Sequence, residues 1–291
     1  MKKRYCFLTG ILFAFIFLIL SAQSAFAVSL NGASAVRLIP YCVFYDSGRT
    51  TVIGLQSPMA GTAYWVFCDQ NGTPLKRGQF NMAAHQMYVF NWATEGGASL
   101  AGKVGYLTFA MDVAPADGTL DNGENLTSNA FYVDVTSQDA VFIPTVEAGV
   151  TGISNALTTT TTNIFLFKQF DWSPAGYGTY SAYLYLRYFI DMAPGGNDTK
   201  LVIFSAQDIA PTQSMVVMDD NGNAAPAIVI ATPNKRLNVI DPESTAGWPA
   251  SYLDGTIQWN IPSGVQVYGF SIVESSSLGA AQTLVGNWSH F

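Results

Sequence analysis

Histidine is almost missing from this chain: 2 of 291 residues, His85 and the penultimate His290. Zinc, haem and iron–sulfur centres draw on imidazole and thiolate ligands. Cysteine is just as scarce, with 3 residues at Cys6, Cys42 and Cys68. A Ser-His-Asp or Cys-His arrangement needs a histidine base held by a third group. Only His85 could serve, and no G-x-S-x-G turn presents a serine to it. No Walker loop or dinucleotide fingerprint is present either. The reading is therefore no enzyme, no cofactor and no resident metal.

Charge is also sparse, at 11% of residues. The three cations Lys2, Lys3 and Arg4 open the chain, and without them ten basic residues face twenty acidic ones, a charge of −10. An acidic, charge-poor protein has no field with which to hold nucleic acid or anionic lipid.

What is present begins with an export signal. Met1-Lys2-Lys3-Arg4 is a basic start, Leu8 to Leu20 is an apolar run, and Ala25-Phe26-Ala27 is an A-x-A cleavage site before Val28. That three-part pattern predicts a signal peptide over 1–27, removed on export. The apolar run is short for a membrane span. Cys6 precedes it and is no lipid acceptor. The expected location is the periplasm, cell surface or exterior of a bacterial cell, with no integral span after cleavage.

The rest reads as short strands cut by turns. Val36 to Phe44, Thr50 to Leu55, Thr62 to Cys68, Gln86 to Asn91, Val104 to Met111 and Phe131 to Val135 are rich in β-branched and aromatic residues. Gly, Asn, Asp and Pro clusters separate them. Such spacing predicts a sandwich or barrel.

Self-similarity organises the chain further. Asp69-Gln70-Asn71-Gly72 returns 150 positions later as Asp219-Asp220-Asn221-Gly222. At that offset Val52-Ile53 meets Val202-Ile203, Val89-Phe90-Asn91 meets Val239-Ile240-Asp241, and Gly105 meets Gly255. The expectation is all-β: two tandem Ig-like or jelly-roll-type antiparallel β-sandwiches related by internal duplication. Copy 1 spans 28–136 and copy 2 spans 180–291, with an insertion at 137–179 that carries Thr158 to Thr162. In each copy Asn-Gly predicts a type I′ hairpin turn.

Duplication bears on single residues. Cys42 and Cys68 fall on Met192 and Met218, which predicts that the two cysteines touch and, in an oxidising compartment, form a disulfide. His85 falls on Lys235, which predicts a surface position. Asp117, Asp121 and Glu124 cluster in one loop of copy 1; they are a weak calcium candidate beside the plainer reading of a solvated loop. Trp92, Trp172, Tyr177 and Trp248 sit in turn-rich stretches, where a ring can stack on sugar or anchor a partner.

Leu38-Ile39-Pro40-Tyr41, Thr50-Thr51-Val52-Ile53-Gly54-Leu55 and Val66-Phe67-Cys68-Asp69-Gln70-Asn71-Gly72 together resemble bacterial secreted Ig-like β-sandwich surface modules. The resemblance implies a surface or matrix module without known catalysis. The leading expectation is a non-enzymatic exported structural or adhesive surface protein, whose partner is a cell-surface glycan or another envelope protein. A carbohydrate-binding module using the loop aromatics is one alternative. An outer-membrane β-barrel is another, suggested by the aromatic content and the final Phe291.

Overall fold

The computed structural model describes residues 36–112, 126–148, 182–191, 197–205, 208–262, 265, 267–275 and 280–290. Apolar residues alternating with polar ones make strands the dominant regular structure of these segments. The first half contributes β1 (Val36–Cys42), β2 (Phe44–Asp46), β3 (Arg49–Gln56), β4 (Gly61–Asp69), β5 (Pro74–Met82) and β6 (Met87–Asn91). A short helix α1 (Trp92–Gly96) follows, then β7 (Gly105–Asp112), β8 (Thr127–Asp134), β9 (Asp139–Ile143) and β10 (Val146–Ala148). The second half contributes β11 (Ala182–Phe189), β12 (Asn197–Ser205), β13 (Thr212–Asp219), β14 (Ile228–Ala231) and β15 (Leu237–Ile240). It ends with β16 (Asp254–Ile261), β17 (Val267–Ser275), β18 (Ala280–Val285) and β19 (Asn287–His290). Among the described residues, no helix is long and apolar enough to cross a membrane.

These strands make four antiparallel sheets. Sheet I has the order β5-β4-β7-β1-β10, and sheet II has β9-β8-β3, with β6 and β2 both on the far side of β3. Sheet III runs β15-β12-β17-β18, and sheet IV runs β14-β13-β16-β11-β19. Each is an open path of strands, so the described chain is a sandwich fold and the barrel alternative is set aside. Strands β9 and β10 extend the first half's sheets past 136, to Ala148.

Apart from β2, which has no counterpart, the strands of the two halves correspond one to one. Sheet IV has the connectivity of sheet I, and sheet III that of sheet II. The register agrees too: Asp69 opposite Gly105 on β4 and β7 becomes Asp219 opposite Gly255 on β13 and β16. The offset of 150 holds from β4 to β7 but drifts outside them. Gly54 opposite Val89 matches Val202 opposite Val239, and Cys42 opposite Gly105 matches Tyr188 opposite Gly255. Phe131 opposite Phe142 matches Ile272 opposite Thr283. Loop lengths between strands absorb these slips, so a single gapless offset misplaces the outer strands.

Three local devices recur. In each Asp-x-Asn-Gly turn, Oδ1 of the first Asp accepts the N–H groups two and four residues on, at 2.9 and 2.8 Å for Asp69 and 3.0 and 2.7 Å for Asp219. Only the glycine is left-handed (Gly72 φ 86°, Gly222 φ 80°), so the turn ends in a glycine bulge and the expected type I′ geometry is replaced. Gly105 and Gly255 cannot carry a side chain: a Cβ would lie 2.1 Å from Cys68 O and 1.9 Å from Met218 O. A buried threonine clamps the segment after the first strand. Thr51 Oγ1 accepts Val43 N–H (3.1 Å) and donates to Val43 O (3.0 Å); Thr199 does the same for Phe189 at 2.9 and 2.6 Å.

Within the first half, Trp65, Phe67 and Phe109 of sheet I meet Phe90 of sheet II and Trp92 of α1. Arg37 is wholly buried in this half and donates from Nε to Leu126 O at 2.7 Å. Within the second half, Leu184, Leu186, Met215, Ile257 and Trp259 of sheet IV pack on Leu201 and Ile203 of sheet III. Sheet III is buried on its other face as well. Val202, Phe204, Leu237, Phe270 and Ile272 belong to the first half's core, and the Phe204 ring lies edge-on to Tyr106 of sheet I at 5.0 Å. The layers therefore stack in the order II, I, III, IV. A clasp closes the seam between I and III: Gln70 O accepts Arg236 N–H (3.0 Å) and Leu237 N–H (2.9 Å). Away from the seam, Thr283 Oγ1 donates to Phe142 O, so the edge strand β18 of sheet III also meets the edge strand β9 of sheet II. Five buried apolar side chains from sheet III stabilise the seam by roughly 10 kcal/mol as an upper bound, at about 2 kcal/mol each.

The Cys42–Cys68 disulfide does not form; both are buried free thiols. Cys42 on β1 pairs with Gly105 and Cys68 on β4 pairs with Tyr106, so β7 lies between them. Two strand spacings put the Cα atoms about 10 Å apart, beyond disulfide reach. They also face opposite sides: Cys42 meets Thr51 inside the first sandwich, whereas Cys68 meets Tyr106 at the seam. Register assigns Tyr188, not Met192, as the counterpart of Cys42.

Thr51→Val should destabilise the chain by about 2 kcal/mol in urea titration, because the isosteric change strands Val43 N–H inside the core. Thr199→Val should cost about the same. Unfolding the chain that starts at Val28 without reductant should expose two thiols to Ellman's reagent, both silent in the native state. Desolvation pushes Cys68 up to about 11 and Cys42 well above its usual value of 9.0. A raised folded value gives stability that is intact below the unfolded pKa and lost as pH climbs through it. Stability should thus fall from pH ~9 to ~11, by roughly 2–3 kcal/mol for Cys68, and Cys68→Ala should flatten that slope.

Candidate functional site

Sheet IV presents an open outer face, and its composition follows from strand alternation. Along β11, Leu184, Leu186 and Tyr188 point to the core, which turns Tyr183, Tyr185 and Arg187 outward. Along β16, Ile257, Trp259 and Ile261 point in, which turns Thr256, Gln258 and Asn260 out. Along β13, Met215 and Val217 point in, leaving Ser214, Val216 and Met218. Register lines these up in rows: Tyr185, Gln258 and Val216 form one, and Arg187, Thr256 and Met218 the next. Tyr183 and Asn260 form a pair at the far end of the face, with Ser214 one step beyond Met215 on β13.

A shallow cleft of about 410 Å³ opens there, lined by Tyr183, Gln213, Ser214, Val216, Gln258, Trp259 and Asn260. No lining side chain carries a charge. Gln213 is held by its Nε2 donating to Ala210 O (3.0 Å), and the Tyr183 and Tyr185 rings lie 6.4 Å apart along β11. At the other end of the face Arg187 and Asp254 pair with each other at 2.8 Å. The arrangement offers amide and hydroxyl donors and acceptors beside two aromatic rings. Such a lining suits a neutral, hydrogen-bonding surface.

The residues singled out from sequence lie elsewhere. Trp92 is fully buried, with its ring 4.5 Å from Phe67 and 6.0 Å from both Phe44 and Trp65, so it fills the core and offers no platform to solvent. Its turn-rich surroundings suggested a loop; the short α1, capped by Asn91 Oδ1 accepting Ala93 N–H, turns it inward instead. Trp248 is half-buried over the end of the second sandwich, edge-on to Tyr188 at 4.8 Å, and its Nε1 donates to Tyr252 O. Trp172 and Tyr177 lie outside the described residues, as do Asp117, Asp121 and Glu124. His85 is exposed, and its left-handed backbone (φ 60°) lets its N–H donate to Ser57 O at 2.8 Å.

A second cluster gathers carboxylates near one end of the second half. Desolvation, then Asp241, pushes Asp198 above its usual range; desolvation, then Asp198, Asp241 and Asp191, does the same to Glu243. Lys200 draws Asp198 the other way and pairs with Glu274 at 2.6 Å. Among the described residues no three such groups converge to hold a metal ion.

The sheet IV face lies on strands, away from the turn-rich stretches that carry the candidate aromatics. Its signal was there: Tyr183-Leu184-Tyr185-Leu186 and Ile257-Gln258-Trp259-Asn260-Ile261 alternate with period two, and the outward set is aromatic and amide where an ordinary solvent face carries Lys and Glu.

No protein-family profile matches the chain, and no curated protein matches it in sequence. Among solved structures it is similar to procruciferin, an 11S globulin from Brassica napus, at 8% identity over 86% of this chain and 75% of that one, with a TM-score of 0.19.

Proposed function

We propose that the chain is an exported, non-enzymatic protein of the bacterial envelope or exterior with a structural or adhesive role. The observation that carries this reading is the stack of four sheets held by a buried seam, which leaves two broad outer faces nearly free of charge. A continuous core of this kind resists the bending expected of tethered domains. The signal pattern at 1–27 supports export, and the shared strand order of the halves, β2 apart, supports tandem duplication of one module. Osmotic shock or culture supernatant should yield a chain beginning at Val28 without detergent. Recovery only from detergent-solubilised membranes, with the first 27 residues intact, would overturn the reading.

The cleft on sheet IV favours a second reading, recognition of a neutral carbohydrate. Uncharged amide and hydroxyl groups beside Tyr183 and Tyr185 suit a hydroxyl-rich ligand with apolar ring faces. Titration with neutral polysaccharides should then quench tyrosine fluorescence. Tyr183→Ala and Gln258→Ala should each weaken binding about tenfold, the loss of about 1.4 kcal/mol; no response to any sugar sinks this reading.

A further inference from the structure

The seam between sheets I and III has two unused copies on the outside of the same molecule. Within the seam, the outer face of sheet I meets the outer face of sheet III. Register makes sheet IV the counterpart of sheet I, and sheet II the counterpart of sheet III. The face that docks in the first half is thus repeated, open, on the second half, and the face that receives it is repeated, open, on the first.

The correspondence holds residue by residue. Val36 and Leu38 on β1 match Tyr183 and Tyr185 on β11; Val66 and Cys68 match Val216 and Met218; Thr108 and Ala110 match Gln258 and Asn260. The first member of every pair is buried, at 5% exposure or less; the second is half-buried or exposed. On the receiving side, Leu237, Val239 and Ile272 match Met87, Val89 and Phe131. Leu237 and Ile272 are buried in the seam, whereas Met87, Val89 and Phe131 are exposed at 60%, 65% and 39%. Phe142 packs edge-on to Phe131 on that same open face, 5.7 Å between centroids. The clasp has a free counterpart too: Gly72 lies against Arg236 at the seam, but Gly222, at the tip of the matching turn, has nothing within 4 Å.

We propose that these two faces dock on each other between molecules, sheet IV of one chain on sheet II of the next, repeating the internal seam. Isolated monomers rarely keep three large apolar side chains exposed on one sheet face without a partner. Neither face carries a charge at its centre that would repel the other. The contact is heterologous, because each molecule offers one face of each kind, so it propagates and leaves an open end at every step. The amide and hydroxyl groups on sheet IV make each intermolecular contact weaker than the internal seam, so assembly depends on concentration. This rests on the structural reading proposed above and specifies its partner: a second copy of this chain.

Sedimentation velocity on the full chain from Val28, over a wide concentration range, tests it. The weight-average mass should climb past the dimer without a plateau. Val89→Asp on sheet II and Asn260→Lys on sheet IV alter side chains that the folded chain exposes, so circular dichroism and the thermal midpoint should stay as in the unmodified chain. Each variant alone should associate at least tenfold more weakly. Mixed one to one, they should form a dimer and nothing larger, since each still offers the face the other has lost. A mass that stays monomeric throughout, a plateau at the dimer, or variants that assemble like the unmodified chain would each overturn the proposal. A monomer that is recovered at Val28 by osmotic shock would sink the assembly and leave the export reading standing. Retention of that monomer on a neutral glycan would give the sheet IV face to sugar instead.

Discussion

Everything distinctive in this molecule depends on burying sheet III twice. A sheet in an ordinary sandwich hides one face and wets the other. Here Leu201 and Ile203 pack inward on sheet IV, while Val202 and Phe204 between them pack outward on sheet I. Four consecutive residues of β12 are withdrawn from water, and one core continues into the next. The Gln70 carbonyl and the edge of β15 close the junction with backbone hydrogen bonds, which fix its angle as well as its strength.

That double burial also explains why the two halves differ where they do. The parts that make a sandwich are shared: the glycine pressed against a neighbouring carbonyl, the threonine clamp and the aspartate-capped turn. The outer faces diverge according to what covers them. Sheet I, roofed by sheet III, carries Leu38, Val66 and Ala110; sheet IV, unroofed, carries Tyr185, Val216 and Asn260. Tyrosine and the amides tolerate water and still offer contact area, which is how a surface remains available to a ligand or a second copy without collapsing onto any apolar neighbour.

The thiols show how far one sheet separates positions that lie close in sequence logic. Matching hydrophobic replacements at Cys42 and Cys68 suggested contact. A single intervening strand and opposite pleat directions prevent it, and both groups are left as small buried hydrophobes with pKa values pushed up by the loss of water. The same pleat logic turned Trp92 from a candidate platform into a core residue, because a five-residue helix at the end of β6 reverses the direction that a loop was expected to take.

Strand class and the positions of the aspartate-capped turns were legible in the sequence alone. Period-two alternation, Asp-x-Asn-Gly and the recurrence at 150 positions are local patterns, and local sterics enforce them whatever the chain does later. The sequence also carried a trace of the seam, since Leu201-Val202-Ile203-Phe204 is an unbroken apolar run of the kind that two buried faces require. Only tertiary structure decided which faces meet. Loop slippage at β1, β3 and β8 shifts the true register away from a constant offset, and strand order places β7 between the cysteines. Those facts arise from pairings across long stretches of chain, where no short-range periodicity records the partner. For the same reason the sheet IV face, assembled from β11, β13 and β16, became visible as one surface only once the strands were side by side.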